Sequence, residues 1–558
     1  MTRPAGSPAP VRAAAAPGDR GTRGPAGPLA GVGELARLAM RRDRVMLVGW
    51  LYVLTAVSLS AGYGIKIVYK TEASRAAIAA TVRTDPALAF LYGQLHGTSL
   101  GALASWRYLV YAALAAALMS IFLVVRHTRA DEETGRLELI GSTVVGRHAP
   151  LVVALLVASA ANLILLVLTT AVLALSGLPL AGSAAFALAE ASCGVVFAAL
   201  AAIAAQISGT ARGARGLAIA ALGVSFLLRG IGDSGGGHGL TWMTWLSPIG
   251  WAELVRPFAG ERWSVLALPA AATAAGAATA FWLAGRRDQG AGLIQPRPGP
   301  ATAGRLLAGP VGLAWRLQRG AVAGWAAGFL AGGVAIGVVA NGIGKLVGSG
   351  SGVHNVISKI GGQAGLTSAY LAACMSLLGL VAAAYAVSAV LRMRSEETEQ
   401  RAEPLLAAPV SRLRWGGSSL IVALAGTIAV LLAGGFGVGL GFGAATSDVG
   451  AQLPRMLGAA LAQVPAAVAV AAVSAALVGL LPEASVAGSW TALAICGFIG
   501  VFGPALNLPQ SVLDISPFTH VPKLPGGSFS AVPLLWLSAF ALLLAAVGLA
   551  GLRRRDIG

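Results

Sequence analysis

Twelve stretches of this chain are long and apolar enough to cross a lipid bilayer, and nothing else in the sequence limits the fold as strongly. A helical crossing takes about 20 mostly apolar residues, since roughly 1.5 Å of rise each must span a hydrocarbon core of about 30 Å. Six such runs lie in the first half: Val45–Ile65, Ala102–Val125, Leu151–Leu175, Phe186–Ile207, Leu217–Gly232 and Val265–Ala284. Six more follow: Ala321–Ile343, Ala369–Leu391, Leu420–Phe442, Met456–Leu481, Val486–Val501 and Val532–Leu552. Only 11% of the 558 residues are charged, against about 25% in a soluble domain, so the chain cannot cover a water-facing surface. In lipid every backbone polar group must be satisfied within the protein, which selects helices or a closed barrel. Runs of this length select helices, and the fold expected is an all-α polytopic membrane protein.

The net charge of +18 invites a nucleic-acid reading, but the distribution of the basic residues argues for membrane topology. With the N-terminus inside, 28 of the 40 Lys and Arg fall on the cytoplasmic side, the bias expected of cytoplasmic loops. Both termini are therefore expected in the cytoplasm, with the spans in the cell membrane. Residues 1–28, rich in Pro, Gly, Ala and Arg, read as a disordered cytoplasmic tail. Cys193, Cys374 and Cys496 sit in apolar runs without metal-ligand spacing and read as buried hydrophobes.

The chain also repeats itself. Arg129, Glu132-Glu133-Thr134, Arg136, Glu138 and Arg147 follow the second run; Arg394, Glu396-Glu397-Thr398, Arg401, Glu403 and Arg412 follow the eighth. The two segments align with a one-residue insertion. Ser247-Pro248 answers Ser516-Pro517, and Arg286–Asp288 answers Arg554–Asp556. Matched landmarks in one order imply a duplicated unit: a first half at 29–288, a cytoplasmic linker at 289–310 and a second half at 311–558. Six spans in each make the halves parallel, related about an axis along the membrane normal.

No Gly-x-x-x-x-Gly-Lys-Ser/Thr loop cradles a phosphate and no His-Glu-x-x-His spacing offers a metal site, so no catalytic residue or metal ligand is assigned. Glu190, inside the fourth run, is expected to reach the interface, and Arg107 and Arg229 to snorkel from helix ends. The paired loops mix both charge signs with Leu137, Leu139, Leu405 and Leu406, as a docking surface does. Glu132, Glu133, Glu138, Glu396, Glu397 and Glu403 are the candidate docking acids, with Arg136, Arg147, Arg401 and Arg412 orienting them. At the opposite end, Gly235–Trp263 and Leu508–Pro525 surround the Ser-Pro pairs. Trp245, Pro248, Trp251, Pro517 and Phe518 are candidates for an exit gate.

Leu38–Arg44 (LAMRRDR), Glu132–Leu139 (EETGRLEL), Leu228–Ser234 (LRGIGDS), Trp245–Trp251 (WLSPIGW) and Leu508–Pro525 (LPQSVLDISPFTHVPKLP) give a specific likeness. In their order the chain resembles the ABC-2 group of actinobacterial multidrug and polyketide-antibiotic exporter permeases. The resemblance implies a pseudo-dimer of six-helix halves, with elbow helices before spans one and seven and coupling helices after spans two and eight. It implies two copies of a separate ABC ATPase as partner. ATP and Mg would bind that partner and no cofactor this chain. It also implies a path for hydrophobic or amphipathic molecules between spans two, five, eight and eleven, where Tyr111, Phe122, Phe226, Tyr385, Phe498 and Phe502 are candidate lining aromatics. The second elbow, Trp315–Arg319, departs from the pattern by lacking Arg-Arg-Asp. The alternative class is a twelve-helix ion-coupled transporter, against which stands the lack of an acidic or histidine relay.

Overall fold

The computed structural model describes residues 27–84, 86–141, 145–234, 240–288, 290–294, 304, 307, 309–347, 362–502 and 509–555. Among them the chain is helical, with one isolated β-bridge between Ser208 and Ile294. Eleven helices are long and apolar enough to cross a membrane, and a shorter apolar helix, Ser485–Gly500, stands where the eleventh run was expected.

The helices used below are α1 (Val32–Leu59), α2 (Glu72–Thr84), α3 (Pro86–Tyr92), α4 (Leu100–Val125), α5 (Arg136–Gly141), α6 (Ala149–Leu175), α7 (Leu180–Ile207) and α8 (Ala211–Ser234). They continue with α9 (Trp242–Trp245), α10 (Pro248–Leu254), α11 (Ala267–Arg286), α12 (Pro310–Val347), α13 (Gly362–Thr398) and α14 (Glu403–Ala407). The last five are α15 (Arg412–Thr446), α16 (Val449–Leu461), α17 (Val464–Leu480), α18 (Ser485–Phe502) and α19 (Ala531–Arg554). The expected elbows are not separate helices. α1 and α12 run from the basic segment into the span without a break, because Ala, Leu, Met and Arg all favour helix and no proline intervenes. The tenth run is instead divided at Ala462-Gln463, ahead of Pro465 in the first turn of α17, where its missing N–H has no intrahelical partner to lose.

Side-chain exposure shows where lipid must lie. Leu535, Trp536, Leu542 and Leu543 of α19 are exposed at 68%, 74%, 72% and 62%, an apolar surface that water would not tolerate on this scale. The most buried helices of the first half are instead α4 and α7, and α7 carries the buried Glu190. The chain is a multi-pass membrane protein.

Each half has its own apolar core. One gathers Ala39 to Ala280 around α4 and α7; another gathers Val322 to Leu552 around α13, α15 and α17. Small residues let the second-half helices touch backbone to backbone. A Cβ on Gly437 of α15 would lie 2.3 Å from the Leu330 carbonyl oxygen of α12, and one on Gly479 of α17 would lie 2.1 Å from the Gly548 oxygen of α19. Between the halves, α3 packs on α12.

Candidate functional site

The two acidic loops close into matching clamps. Arg129 leaves α4 through a π turn, Arg126–Ala130, and is fully buried. Its Nε and Nη2 donate to the Ala205 carbonyl at 3.1 and 2.8 Å, at the end of α7, and its Nη1 donates to Glu132 Oε2 at 2.6 Å. Glu132 also accepts from both terminal nitrogens of Arg287, which follows α11. Arg147 donates to the carbonyls of Ala284, Gly285 and Arg287 at 3.2, 3.3 and 3.0 Å. These oxygens lie in and beyond the last turn of α11, where carbonyls run out of intrahelical donors.

The second half repeats this chemistry. Arg394 pairs with Glu397 at 3.1 Å, Arg555 pairs with the same carboxylate, and Arg412 donates to the Arg555 carbonyl. Glu132 and Glu397 each follow their arginine by three positions, so the structure aligns them without the insertion the sequences had suggested. A left-handed residue turns the chain after each clamp, Gly135 (φ 69°) in one half and Gln400 (φ 57°) in the other.

The clamps divide the candidate docking residues by exposure. Glu132 and Glu397 are at most 9% exposed and serve internal pairs. Glu396 pairs with Arg392 at 3.0 Å. Glu133, Glu138, Glu403 and Arg401 face outward, Arg401 pairing with Glu399, and Arg136 is half-exposed, 3.4 Å from Asp131. Arg147 and Arg412 bond carbonyls at the ends of α11 and α19 rather than the acids of their loops.

A groove lies beside each clamp. The first, about 440 Å³, runs between Leu35, Leu38 and Arg42 of α1, Asp131, and Leu137 and Leu139. The second, about 160 Å³, runs between Leu313 and Leu317 of α12, Glu396, Leu405 and Trp415. α1 is held there by two ion pairs, Arg42 to Asp131 and Arg126 to Asp43, both at 2.8 Å, with His127 Nε2 2.7 Å from the same Asp43 carboxyl. Lacking Arg-Arg-Asp, α12 meets its clamp through the Leu317 carbonyl, which accepts from Arg392 at 3.1 Å.

At the opposite end both Ser-Pro pairs are pinned by the serine. Ser247 Oγ donates to the Ser225 carbonyl of α8 at 2.7 Å and accepts from Gly250 N at 3.1 Å, capping α10. Ser516 Oγ donates to the Cys496 carbonyl of α18 at 2.9 Å. Pro248 and Pro517 then open short helical turns, where a missing N–H costs nothing. Trp245 is exposed, Trp251 Nε1 donates to the Trp245 carbonyl at 2.6 Å, and Phe518 is buried.

The candidate path aromatics do not form one wall. Tyr111 meets Tyr92 at 5.7 Å between ring centres. Phe226 meets Phe90 at 6.0 Å. Phe122 stacks on Trp50, and Tyr385 lies against Trp325, both inside their own halves. Phe498 is exposed, and the Phe502 side chain lies outside the described residues.

Two expectations are overturned by burial. Glu190 does not reach the interface: it is fully buried, and Thr169 Oγ1 donates to its Oε2 at 3.0 Å. Arg229 does not snorkel. It is fully buried between Asp233 at 3.7 Å and Glu253 at 3.3 Å, and donates to the Leu91 carbonyl at 3.4 Å. Asp233 lies one helical turn beyond Arg229, a spacing that could have flagged the pair; no local signal joins Glu253 to them, because it stands on α10, beyond α9.

This arrangement has a relative. The chain is 44% identical over 559 aligned positions to the "Multidrug efflux system permease protein Rv1217c" of Mycobacterium tuberculosis, covering 100% of this chain and 98% of that one. It belongs to the multidrug efflux permease family. Residues 307–553 match the family described as "Multidrug efflux system permease Rv1217c, C-terminal domain", which takes in the second clamp except its last arginines and the whole second Ser-Pro segment. In this permease, then, both clamps and both hairpins fall within the aligned length.

Proposed function

We propose that this permease is the membrane-spanning subunit of an ATP-driven exporter of hydrophobic or amphipathic small molecules. Two copies of a separate ABC ATPase would dock on the clamp end, which the arginine bias puts in the cytoplasm. The observation that carries this reading is the doubled clamp. Each one braces a charged loop against the last helix of its half, while Glu133, Glu138 and Glu403 remain exposed beside an apolar groove. A loop held this firmly, yet presenting unpaired acids and leucines, suits transmission of force from a partner. Closure of the ATPases would move the clamps as rigid pieces and so turn α11 and α19, switching the halves between inward-open and outward-open states. Such a shift requires the partner to contact the clamps differently in the two states. ATP and Mg would sit on the partner alone.

Charge reversal tests this directly. Glu133→Lys with Glu403→Lys alters exposed faces without touching either buried clamp. Recovery of the ATPase in a pull-down should fall at least tenfold and efflux should be lost, with membrane insertion unchanged. Full ATPase recovery together with normal efflux in the double variant would remove the docking assignment.

A further inference from the structure

The buried charges at the hairpin end do not balance. Arg229 is one guanidinium facing two carboxyls, Asp233 and Glu253, whose side chains are 6% and 10% exposed. Asp233 Oδ1 is met by Thr244 Oγ1 at 3.0 Å, but its Oδ2 finds no fixed donor. The two carboxyls share one nitrogen, Arg229 Nη1, at 3.7 and 3.3 Å. With both ionised the set would carry an uncompensated negative charge, and an unpaired buried charge costs several kcal/mol. One proton shared by the two carboxyls removes that charge and supplies the missing donor.

The geometry also gives that proton a route and a consequence. Glu253 lines a cavity of about 20 Å³ with Gln94, His96, Ser105, Trp106 and Arg256, room for about one water. The cluster ties three pieces together: α8 through Arg229 and Asp233, the Ser-Pro hairpin through Thr244 and Glu253, and α3 through the Leu91 carbonyl. Gly93 closes over it, leaving so little space that a Cβ there would lie 2.2 Å from Glu253 Oε1.

We propose that Asp233 and Glu253 form a one-proton binding site, filled through this cavity, whose occupancy holds the Ser-Pro hairpin against α8. The proposal takes its outward orientation from the topology above, but the proton site itself does not depend on the export reading. The ionisable groups facing the pair are Arg229 from α8 and His96 and Arg256 from the flanking loops; Tyr92, Tyr111 and Arg107 of the α3–α4 region stand behind them. Burial, followed by the Asp233 charge, pushes the Glu253 carboxyl well above the usual range, against the pull of Arg229. Burial, helped by Arg256 and Arg262, lowers His96 to about 4, so it stays neutral while Glu253 titrates. The folded pKa of Glu253 lies above its unfolded value. The stabilisation is therefore complete in acid and is lost as pH rises through the folded pKa.

The test uses the full-length permease in detergent. Infrared spectra at neutral pH should contain a protonated-carboxyl band that Glu253→Gln removes and Glu190→Gln leaves in place. Hydrogen-exchange protection of the amides at 249–254 should fall at least tenfold in the native protein as pH is raised from acid until that band disappears, after correction for intrinsic exchange. In Glu253→Gln it should stay level. Asp233→Asn serves as the second variant and should behave likewise, covering the case in which the first fails to fold. Absence of a Glu253-dependent protonated band, or an equal fall in protection in both variants and the native protein, overturns the proposal.

Discussion

Removing the carboxylate of Glu132 should unlock the first clamp far more than its exposed neighbour Glu133 does. Glu132 accepts from Arg129 and Arg287, whose side chains are 1% and 10% exposed. Glu132→Ala strands both guanidiniums where water reaches them poorly. Breaking a buried ion pair by removing one partner costs about 3–5 kcal/mol, and Arg129 keeps its bonds to the Ala205 carbonyl, which favours the lower end. At about 1.4 kcal/mol per tenfold, local opening should rise roughly 100- to 4,000-fold. The segment to watch is 291–294, because Arg129 and Arg287 both donate to the Ala291 carbonyl, and the Leu293 and Ile294 amides donate to the carbonyls of Gln206 and Ile207. Hydrogen exchange of that peptide in the solubilised permease reports the opening directly. Glu133→Ala should leave it within about twofold, as an exposed surface change does. Exchange in Glu132→Ala that stays within tenfold of the native rate would show that the clamp is not held by this carboxylate.

Other outcomes follow from the same geometry. Glu397→Ala should cost less, about 1–3 kcal/mol, because Arg394 and Arg555 are 24% and 18% exposed; exchange of the peptides at 549–555 measures it, and a loss as large as that of Glu132→Ala contradicts the ranking. A cysteine at Thr134 should resist an impermeant thiol reagent in intact cells while one at Ser264 reacts, and the reverse pattern would invert the topology. Ser247→Ala leaves the Ser225 carbonyl and the Gly250 amide without the hydroxyl, so thermal stability should fall by about 1–3 kcal/mol, and unaltered melting refutes that pinning role. Pro248→Ala or Pro517→Ala should change efflux with ATPase association intact, and loss of the ATPase would move the hairpins out of the gate role.

Much of this was legible in the sequence because membrane burial writes long, coarse signals. The apolar runs located the helices of both halves, since lipid leaves the backbone few alternatives. The repeat was legible because Arg129, Glu132 and Arg147 do the same work as Arg394, Glu397 and Arg412. Its register was not, because Glu132-Glu133 and Glu396-Glu397 match by letter at the wrong phase. Only the distance from each arginine settles which carboxylate pairs. The roles of the acids were equally hidden: adjacent glutamates look alike in a charge run, yet Glu132 is buried in the clamp and Glu133 faces outward. The Arg229–Asp233–Glu253 cluster escaped for a different reason. It is completed by tertiary folding of the Ser-Pro hairpin, and a lone arginine near a helix end reads as one reaching for water.

Energy coupling is the central claim, and transport into inside-out vesicles measures it most directly. Vesicles holding this permease together with the proposed ABC ATPase should accumulate an amphipathic dye when ATP is added, stop with vanadate, and lose uptake when the ATPase is omitted or when Glu133 and Glu403 are reversed. Uptake that needs no ATPase and follows an imposed proton gradient would contradict the account and leave an ion-coupled transporter in its place.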